Sequence, residues 1–84
     1  MALTRVALYH ATGCHLCGPV QETVRAVCVD LGVPLDEVDI AGDDLLEARY
    51  RDALPVVEIN GARAFKFFVD ELDLRDRLRR HLER

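Results

Sequence analysis

Long apolar runs are missing from the 84-residue sequence, since none approaches the 18 residues that a membrane-spanning helix needs. Residues 1–5 also lack the charged start and the cleavable apolar region of a signal peptide. We therefore expect a cytoplasmic protein that does not bind a membrane. An excess of basic charge is missing as well: 15 acidic residues outnumber 11 basic ones and the net charge is −4, whereas nucleic-acid-binding surfaces are usually basic. No nucleic-acid partner is expected.

Cysteine is scarce, with 3 residues in the chain, an odd number that is too small for a disulfide scaffold. In a reducing compartment, two cysteines that lie close in sequence indicate catalysis or metal binding rather than a structural bridge. Repeats, linkers and low-complexity segments are absent. The length allows one domain, which we assign to residues 1–84 and expect to act as a monomer.

What the sequence does contain is a pair of cysteines, Cys14 and Cys17, separated by His15 and Leu16. The pair lies between a short apolar run and an amphipathic segment, and this spacing is typical of a redox dithiol. The first turn of a helix places residues i and i+3 within the roughly 4.4–6.8 Å between Cα atoms that a disulfide needs. A thiolate at Cys14 would face the positive end of that helix, which lowers a cysteine pKa from about 8.5 to roughly 3.5–7.5.

Hydrophobic periodicity and turn residues predict the element order β-α-β-α-β-β-α. The predicted strands and helices are strands over 4–9, 35–40, 56–59 and 62–68, and helices over about 19–31, over 42–50 and after Asp70. We expect an irregular turn ahead of Pro19 to carry the dithiol, because proline is best accommodated at the first helical position. Gly32 is expected to end the first helix.

The second half of the chain has its own local signals. Asn60-Gly61 is a strong hairpin signal between the last two strands. Asp70 is expected to cap the last helix by accepting a hydrogen bond from its first turn. Several apolar residues are predicted to be buried, namely Cys28 in the first helix and Leu74, Leu78 and Leu82 in the last helix. Phe65, Phe67 and Phe68 are expected to be core residues for the most part, although one of them could line the site.

Three of these features together resemble the glutaredoxin-like proteins of the thioredoxin superfamily, and in particular a bacterial subgroup of small members. They are the Cys14-His15-Leu16-Cys17 dithiol after the first strand, Leu54-Pro55 before the third, and the Asn60-Gly61 hairpin followed by a terminal helix. The resemblance covers essentially the whole chain. It implies an α/β thioredoxin fold with a four-stranded mixed sheet flanked by helices, in which the first two strands are parallel.

The resemblance also implies roles for individual residues in thiol–disulfide exchange. Cys14 would be the attacking thiolate and Cys17 the resolving thiol. Pro55 would lie beside the dithiol, and a cis bond before it would present the backbone of Leu54 to a peptide or to glutathione, like an added strand. His15 and Leu16, between the cysteines, would contact the substrate.

The chain departs from the glutaredoxin pattern where glutathione would bind. Ala11 stands where a lysine is frequent, and Leu16 where an aromatic residue is frequent. The segment 67–70 replaces a Gly-Gly pair, so that only Asp70 could hold the other end of glutathione. The expected substrates are a disulfide-containing protein or a glutathione mixed disulfide. Glutathione is a candidate electron donor, and no bound cofactor is expected.

Two other classes of function are consistent with the sequence. The fold could serve as a binding module in which Leu54-Pro55 docks a peptide without turnover. The cysteines could instead hold an iron–sulfur cluster or another metal. A zinc site that joins them to His10 or His15 is not expected, because the usual second ligand pair 12–20 residues further along is absent.

Overall fold

The computed structural model describes residues 4–83, which form a four-stranded mixed sheet flanked by three helices. The strands are β1 (Val6–His10), β2 (Leu35–Asp39), β3 (Val56–Ile59) and β4 (Ala62–Lys66), and the helices are α1 (Cys17–Leu31), α2 (Asp44–Tyr50) and α3 (Glu71–Leu82). A short 3₁₀ turn that we did not predict, Arg51–Ala53, follows α2. The predicted order of strands and helices is confirmed. The ends of the expected domain, residues 1–3 and 84, lie outside the described residues.

The strands are arranged in the order β2-β1-β3-β4. β1 runs parallel to β2, as expected, and β3 is antiparallel to both β1 and β4. The end of β1, the beginning of β3 and the end of β4 therefore lie side by side at one end of the sheet. There Tyr9 pairs with Val56, and Val56 pairs with Lys66. We call this the dithiol end of the sheet, because the chain leaves β1 there and forms the turn over residues 11–16 that carries Cys14, which we call the cysteine turn.

The main core lies on the sheet face that α1 and α3 cover. Alternate residues of a strand point to opposite faces, so this face receives every second residue of β1 and β3. Its buried members are Val6 and Leu8 of β1, Val57 and Ile59 of β3, Val20, Val24 and Val27 of α1, and Leu74 and Leu78 of α3. Burial of these side chains is the principal stabilising term for a domain of this size.

Helix α1 begins at Cys17, two residues before the predicted start at Pro19. Proline is tolerated at this third helical position because the first amide groups of a helix have no partner within it. The helix ends where we expected. Gly32 adopts a left-handed conformation with φ 68°, and its N–H donates to the carbonyl oxygens of Cys28 and Val29.

Strand β4 ends at Lys66, so the predicted strand over 62–68 is two residues too long. Phe67 leaves the strand because it adopts a positive φ of 71°, which a β-strand cannot contain. Its N–H donates to the carbonyl oxygens of Pro55, at 2.9 Å, and Ala53, at 3.3 Å. Phe67 is 40% exposed and Phe68 is 72% exposed, so the expectation that they are core residues is wrong. Phe65, within the strand, is partly buried against the main core.

The hairpin and the last helix follow local signals. Asn60 and Gly61 have φ values of 53° and 83°, so the predicted tight turn between β3 and β4 is confirmed. Asp70 caps α3 as expected, because its carboxylate accepts a hydrogen bond from the N–H of Asp73 at 3.1 Å. Leu82, however, is 47% exposed, and its predicted burial is wrong because the helix ends there. Between residues 4 and 83, no helix is long and apolar enough to cross a membrane.

The position of α3 on the core can be tested with two leucines that lie four residues apart. Leu78 is fully buried, whereas Leu82 is 47% exposed. Leu78→Ala should lower the free energy of unfolding by about 2–5 kcal/mol, because it leaves a cavity in the core. Leu82→Ala should change it by less than about 1 kcal/mol. Urea denaturation followed by circular dichroism measures both, and equal effects of the two substitutions would contradict this packing.

Candidate active site

The two close cysteines lie at the junction of β1 and α1. They form a disulfide, and their Cα atoms are 5.4 Å apart. Cys17 is the first residue of α1 and only 3% exposed, while Cys14 lies in the preceding turn and is half-buried. An incoming disulfide can therefore reach Cys14 but not Cys17.

Backbone hydrogen bonds hold the cysteine turn in place. The N–H of Cys14 donates to the carbonyl oxygen of Ala11, and the N–H of Cys17 donates to that of Cys14. Ala11 is buried, which ties the turn to the interior. Gly13 has a φ of 85°, a conformation that glycine adopts without steric cost. The turn is thus set by the chain itself before any substrate arrives.

The beginning of α1 presents unneutralised positive charge to Cys14. Leu16 occupies the N-cap position, where no side-chain hydrogen bond is made, and the first turn of this helix contains no acidic residue. A helix N-terminus carries about half a positive elementary charge. His15 and Leu16 are both exposed on the turn. The site therefore offers a thiolate at Cys14 a favourable electrostatic environment.

A second buried cluster joins the dithiol to the start of β3. Its members are Ala11, Cys17, Ile40, Tyr50, Leu54 and Val56, with Tyr9 and Cys14 packed against it. The Leu54–Pro55 peptide bond is cis, and Pro55 is fully buried. The structure thus brings together Cys14, Cys17 and Leu54, which the sequence places far apart.

Asp70 is held by a different element. It stands at the start of α3, and its carboxylate is engaged in capping that helix. The third cysteine, Cys28, is 3% exposed in the main core, so its predicted burial is confirmed. Burial raises the pKa of its thiol to about 11. Within residues 4–83, no three histidine, cysteine, aspartate or glutamate side chains are grouped closely enough to hold a metal ion.

Sequence reasoning missed a buried polar pair under the site. The hydroxyl of Tyr50 donates to Oε2 of Glu58 at 2.7 Å, and Glu58 is only 7% exposed. The ring of Tyr50 stacks on that of Tyr9, with centroids 4.0 Å apart. Burial, and then the hydrogen bond to Glu58, raise the pKa of Tyr50 above its ordinary value. An acidic residue inside the apolar run of β3 was the signal that a partner had to exist.

The Tyr50–Glu58 hydrogen bond spans the segment that contains Leu54 and Pro55. Tyr50 ends α2, Glu58 lies within β3, and the 3₁₀ turn and Leu54–Pro55 lie between them. Because this one buried hydrogen bond joins the two flanks of the segment, it limits how far the segment can move. The pair therefore helps to keep Leu54 in the cluster that contains Cys17.

Comparison with known proteins adds a family to this geometry. The sequence profile described as "Glutaredoxin-like domain (DUF836)" matches residues 5–79. The chain belongs to this glutaredoxin-like family. No curated protein is significantly similar to it in sequence.

Solved structures with the same fold include proteins of several organisms. The glutaredoxin-like domain is 27% identical to protein XcR50 from X. campestris, with a TM-score of 0.72 over 89% of this chain and 96% of that chain. It is 25% identical to Fasciola hepatica thioredoxin, with a TM-score of 0.66 over 94% and 81% of the respective chains. Thioredoxin 1 from Thermosipho africanus, at 13% identity, gives a TM-score of 0.72 over 94% of each chain. The predicted thioredoxin fold is confirmed.

The buried thiol of Cys28 makes the free energy of unfolding of the oxidised protein depend on pH in the alkaline range. Because its pKa of about 11 in the folded state exceeds the ordinary value near 8.5, its contribution to stability is complete below pH 8 and is lost as pH rises towards 11. Between pH 8 and 11 the free energy of unfolding should fall by on the order of 1–2 kcal/mol more in the wild type than in Cys28→Ala. Urea titrations at several pH values measure this difference, and parallel curves would contradict it.

The Tyr50–Glu58 pair can be tested by removing one partner and then both. Tyr50→Phe should cost about 1–3 kcal/mol of unfolding free energy, because it leaves the Glu58 carboxylate buried without its donor. The double variant Tyr50→Phe with Glu58→Met removes the polar group as well and should recover most of that loss. Chemical denaturation at pH 7 compares the two. A single variant as stable as the wild type would show that the hydrogen bond contributes nothing.

Proposed function

We propose that this glutaredoxin-like domain is a thiol–disulfide oxidoreductase in which Cys14 is the nucleophile and Cys17 the resolving thiol. The observation that carries the proposal is the unequal exposure of two cysteines that are close enough to bond: Cys14 is accessible and Cys17 is 3% exposed. Because Cys17 is shielded from external disulfides, its thiol can attack only a mixed disulfide that has formed at Cys14. This is the arrangement that a two-step exchange requires.

The uncapped start of α1 supports the assignment of the nucleophile. In the reduced protein, a thiolate at Cys14 would lie next to the positive end of the helix, and His15 would add charge when protonated. Cys17 is packed among apolar side chains and is shielded from an external disulfide. The two cysteines thus have different environments suited to different steps.

The proposed reaction transfers two electrons from the protein to the substrate. The Cys14 thiolate attacks one sulfur of the substrate disulfide; that S–S bond breaks, and the other sulfur leaves as a thiolate that takes up a proton. Cys17 then loses its proton and attacks Sγ of Cys14. The mixed disulfide breaks, the second substrate thiol is released, and the Cys14–Cys17 disulfide remains. Glutathione or a protein dithiol would reduce it again, so no bound cofactor is needed.

The substrate would bind across the start of β3. Leu54 and Cys17 belong to the second cluster, against which Cys14 packs, so a peptide segment that pairs with the backbone of Leu54 would place a sulfur near Cys14. His15 and Leu16 would contact the substrate from the cysteine turn. The substrates are disulfide-containing proteins or glutathione mixed disulfides. A cytoplasmic location would supply the reducing partners that this cycle consumes.

The first test is the equilibrium of the dithiol with reduced and oxidised glutathione. After incubation over a range of ratios, alkylation and mass measurement should show a single two-electron transition between the dithiol and one internal disulfide. A pair that cannot be oxidised at any ratio, or cannot be reduced again, would overturn the proposal and favour a binding module without turnover.

Two serine variants separate the roles of the cysteines. Cys14→Ser should abolish exchange with a disulfide substrate, whereas Cys17→Ser should accumulate a stable mixed disulfide that mass spectrometry detects. Cys28→Ala is the matched control, because its thiol is buried away from the site and exchange should continue. Exchange at the wild-type rate in Cys14→Ser would contradict the assignment.

A further inference from the structure

Three large apolar side chains are exposed around the dithiol end of the sheet. Leu16 is 51% exposed, Phe67 40% and Phe68 72%. Single exposed apolar side chains, such as Leu45 in α2, are ordinary, whereas several around one site indicate a surface that contacts something else. We call these three residues the apolar rim.

The topology places the rim on either side of the dithiol. Leu16 belongs to the cysteine turn itself, and Phe67 follows the last residue of β4. Only β3 separates β1 from β4, and neighbouring strands lie about 4.8 Å apart, so Phe67 is roughly 10 Å from the end of β1. The start of β3, with Leu54 and Pro55, lies between the two parts of the rim. A peptide bound across β3 would therefore reach both.

Phe67 is held in an unusual conformation at this position. Its φ of 71° is uncommon for a bulky residue, and such conformations persist only where the surroundings impose them. The hydrogen bonds from its N–H to the carbonyls of Pro55 and Ala53 do so here. They fix the chain at Phe67 and Phe68 directly beside Leu54–Pro55, although both side chains remain exposed. The conformation therefore maintains exposed aromatic surface next to the site.

The start of α3, on the Phe67–Phe68 side of the rim, does not suit glutathione, whose two carboxylates give it a net negative charge at neutral pH. Helix α3, which begins just after the rim, carries Asp70, Glu71 and Asp73 at its start. Asp70 already accepts the N–H of Asp73, so a carboxylate of the chain itself occupies the start of this helix, where a carboxylate of glutathione would bind. The ammonium of Lys66 lies 5.5 Å from the centre of the Phe67 ring. Glu71 and Asp73 are ion-paired with Arg75 and Arg77 of the same helix, so these two cations are already engaged.

We propose that the substrates of this site are protein disulfides whose cysteine is flanked by apolar side chains, and that Leu16, Phe67 and Phe68 select them over glutathione mixed disulfides. This inference rests on the proposed oxidoreductase function and names its substrate class. Apolar neighbours of the substrate cysteine would be buried against the rim while the Cys14 thiolate attacks the sulfur. The substrate disulfide gains two electrons and two protons, and the Cys14–Cys17 dithiol loses them.

The test compares three mixed-disulfide substrates. The first and second share the same small thiol, and the second and third share the same peptide. Two synthetic peptides, with the cysteine flanked by leucine and phenylalanine or by serine, are each joined in a mixed disulfide with 2-mercaptoethanol. The third substrate is the serine peptide joined to glutathione. The reduced protein should exchange with the apolar peptide with a kcat/KM roughly tenfold above that for each of the other two, as expected for partial burial of one aromatic contact.

Variants of the rim should remove that preference. In Phe68→Ala and Leu16→Ala, the ratio of kcat/KM between the apolar and serine peptides should fall to within about threefold, mainly through a higher KM for the apolar peptide. Val29→Ala is the matched control: this residue is 80% exposed near the far end of α1, and its substitution should keep the tenfold ratio.

The possible results distinguish this inference from the function it depends on. Exchange with all three substrates at equal kcat/KM, a preference for the glutathione disulfide, or an unchanged ratio in both rim variants would overturn the assignment of substrates and leave the oxidoreductase function standing. Absence of exchange with every substrate would overturn the oxidoreductase function, and the assignment of substrates with it.

Discussion

The site depends on the burial of Cys17 at the first position of α1. Its side chain belongs to the buried cluster that also contains Leu54, Tyr50 and Val56, which ties the start of the helix to the start of β3. Cys14 lies three residues earlier in the turn, with its Cα 5.4 Å from that of Cys17, and remains accessible. The buried cysteine is therefore both a core residue and one half of the dithiol. This explains why the site needs no separate scaffold in a chain of 84 residues.

Much of the fold could be predicted because its signals are local. The cysteine spacing, the glycine at the end of α1, the Asn60-Gly61 turn and the Asp70 cap each depend on a few neighbouring residues. The bounds of the strands were less certain, since they depend on pairing with distant segments. Strand β4 stops early because Phe67 bonds to carbonyls of the segment before β3, which lies 12 or more residues away in sequence.

The candidate site was predictable only in part, and for the same reason. Cys14 and Cys17 are three positions apart along the chain, and their proposed role was inferred from that spacing. That Leu54 and Cys17 share one buried cluster, and that Tyr50 donates to Glu58, follow from how distant segments of the chain pack on one another. The phenylalanines after β4 looked like core residues, because hydrophobicity alone does not show which side chains remain exposed at the end of a strand.

The buried thiol of Cys28 can report on opening of the core, independently of the redox reactions of Cys14 and Cys17. When Cys14 and Cys17 are bonded, it is the remaining thiol, and it is buried in the core that α1, α3 and the sheet share. A reagent can reach it only when that core opens, so its labelling rate reports the population of open molecules. The same thiol exists in the reduced protein, whose opening can be followed in the Cys14→Ser, Cys17→Ser background. The chain thus contains a built-in reporter that compares the conformational dynamics of its two redox states.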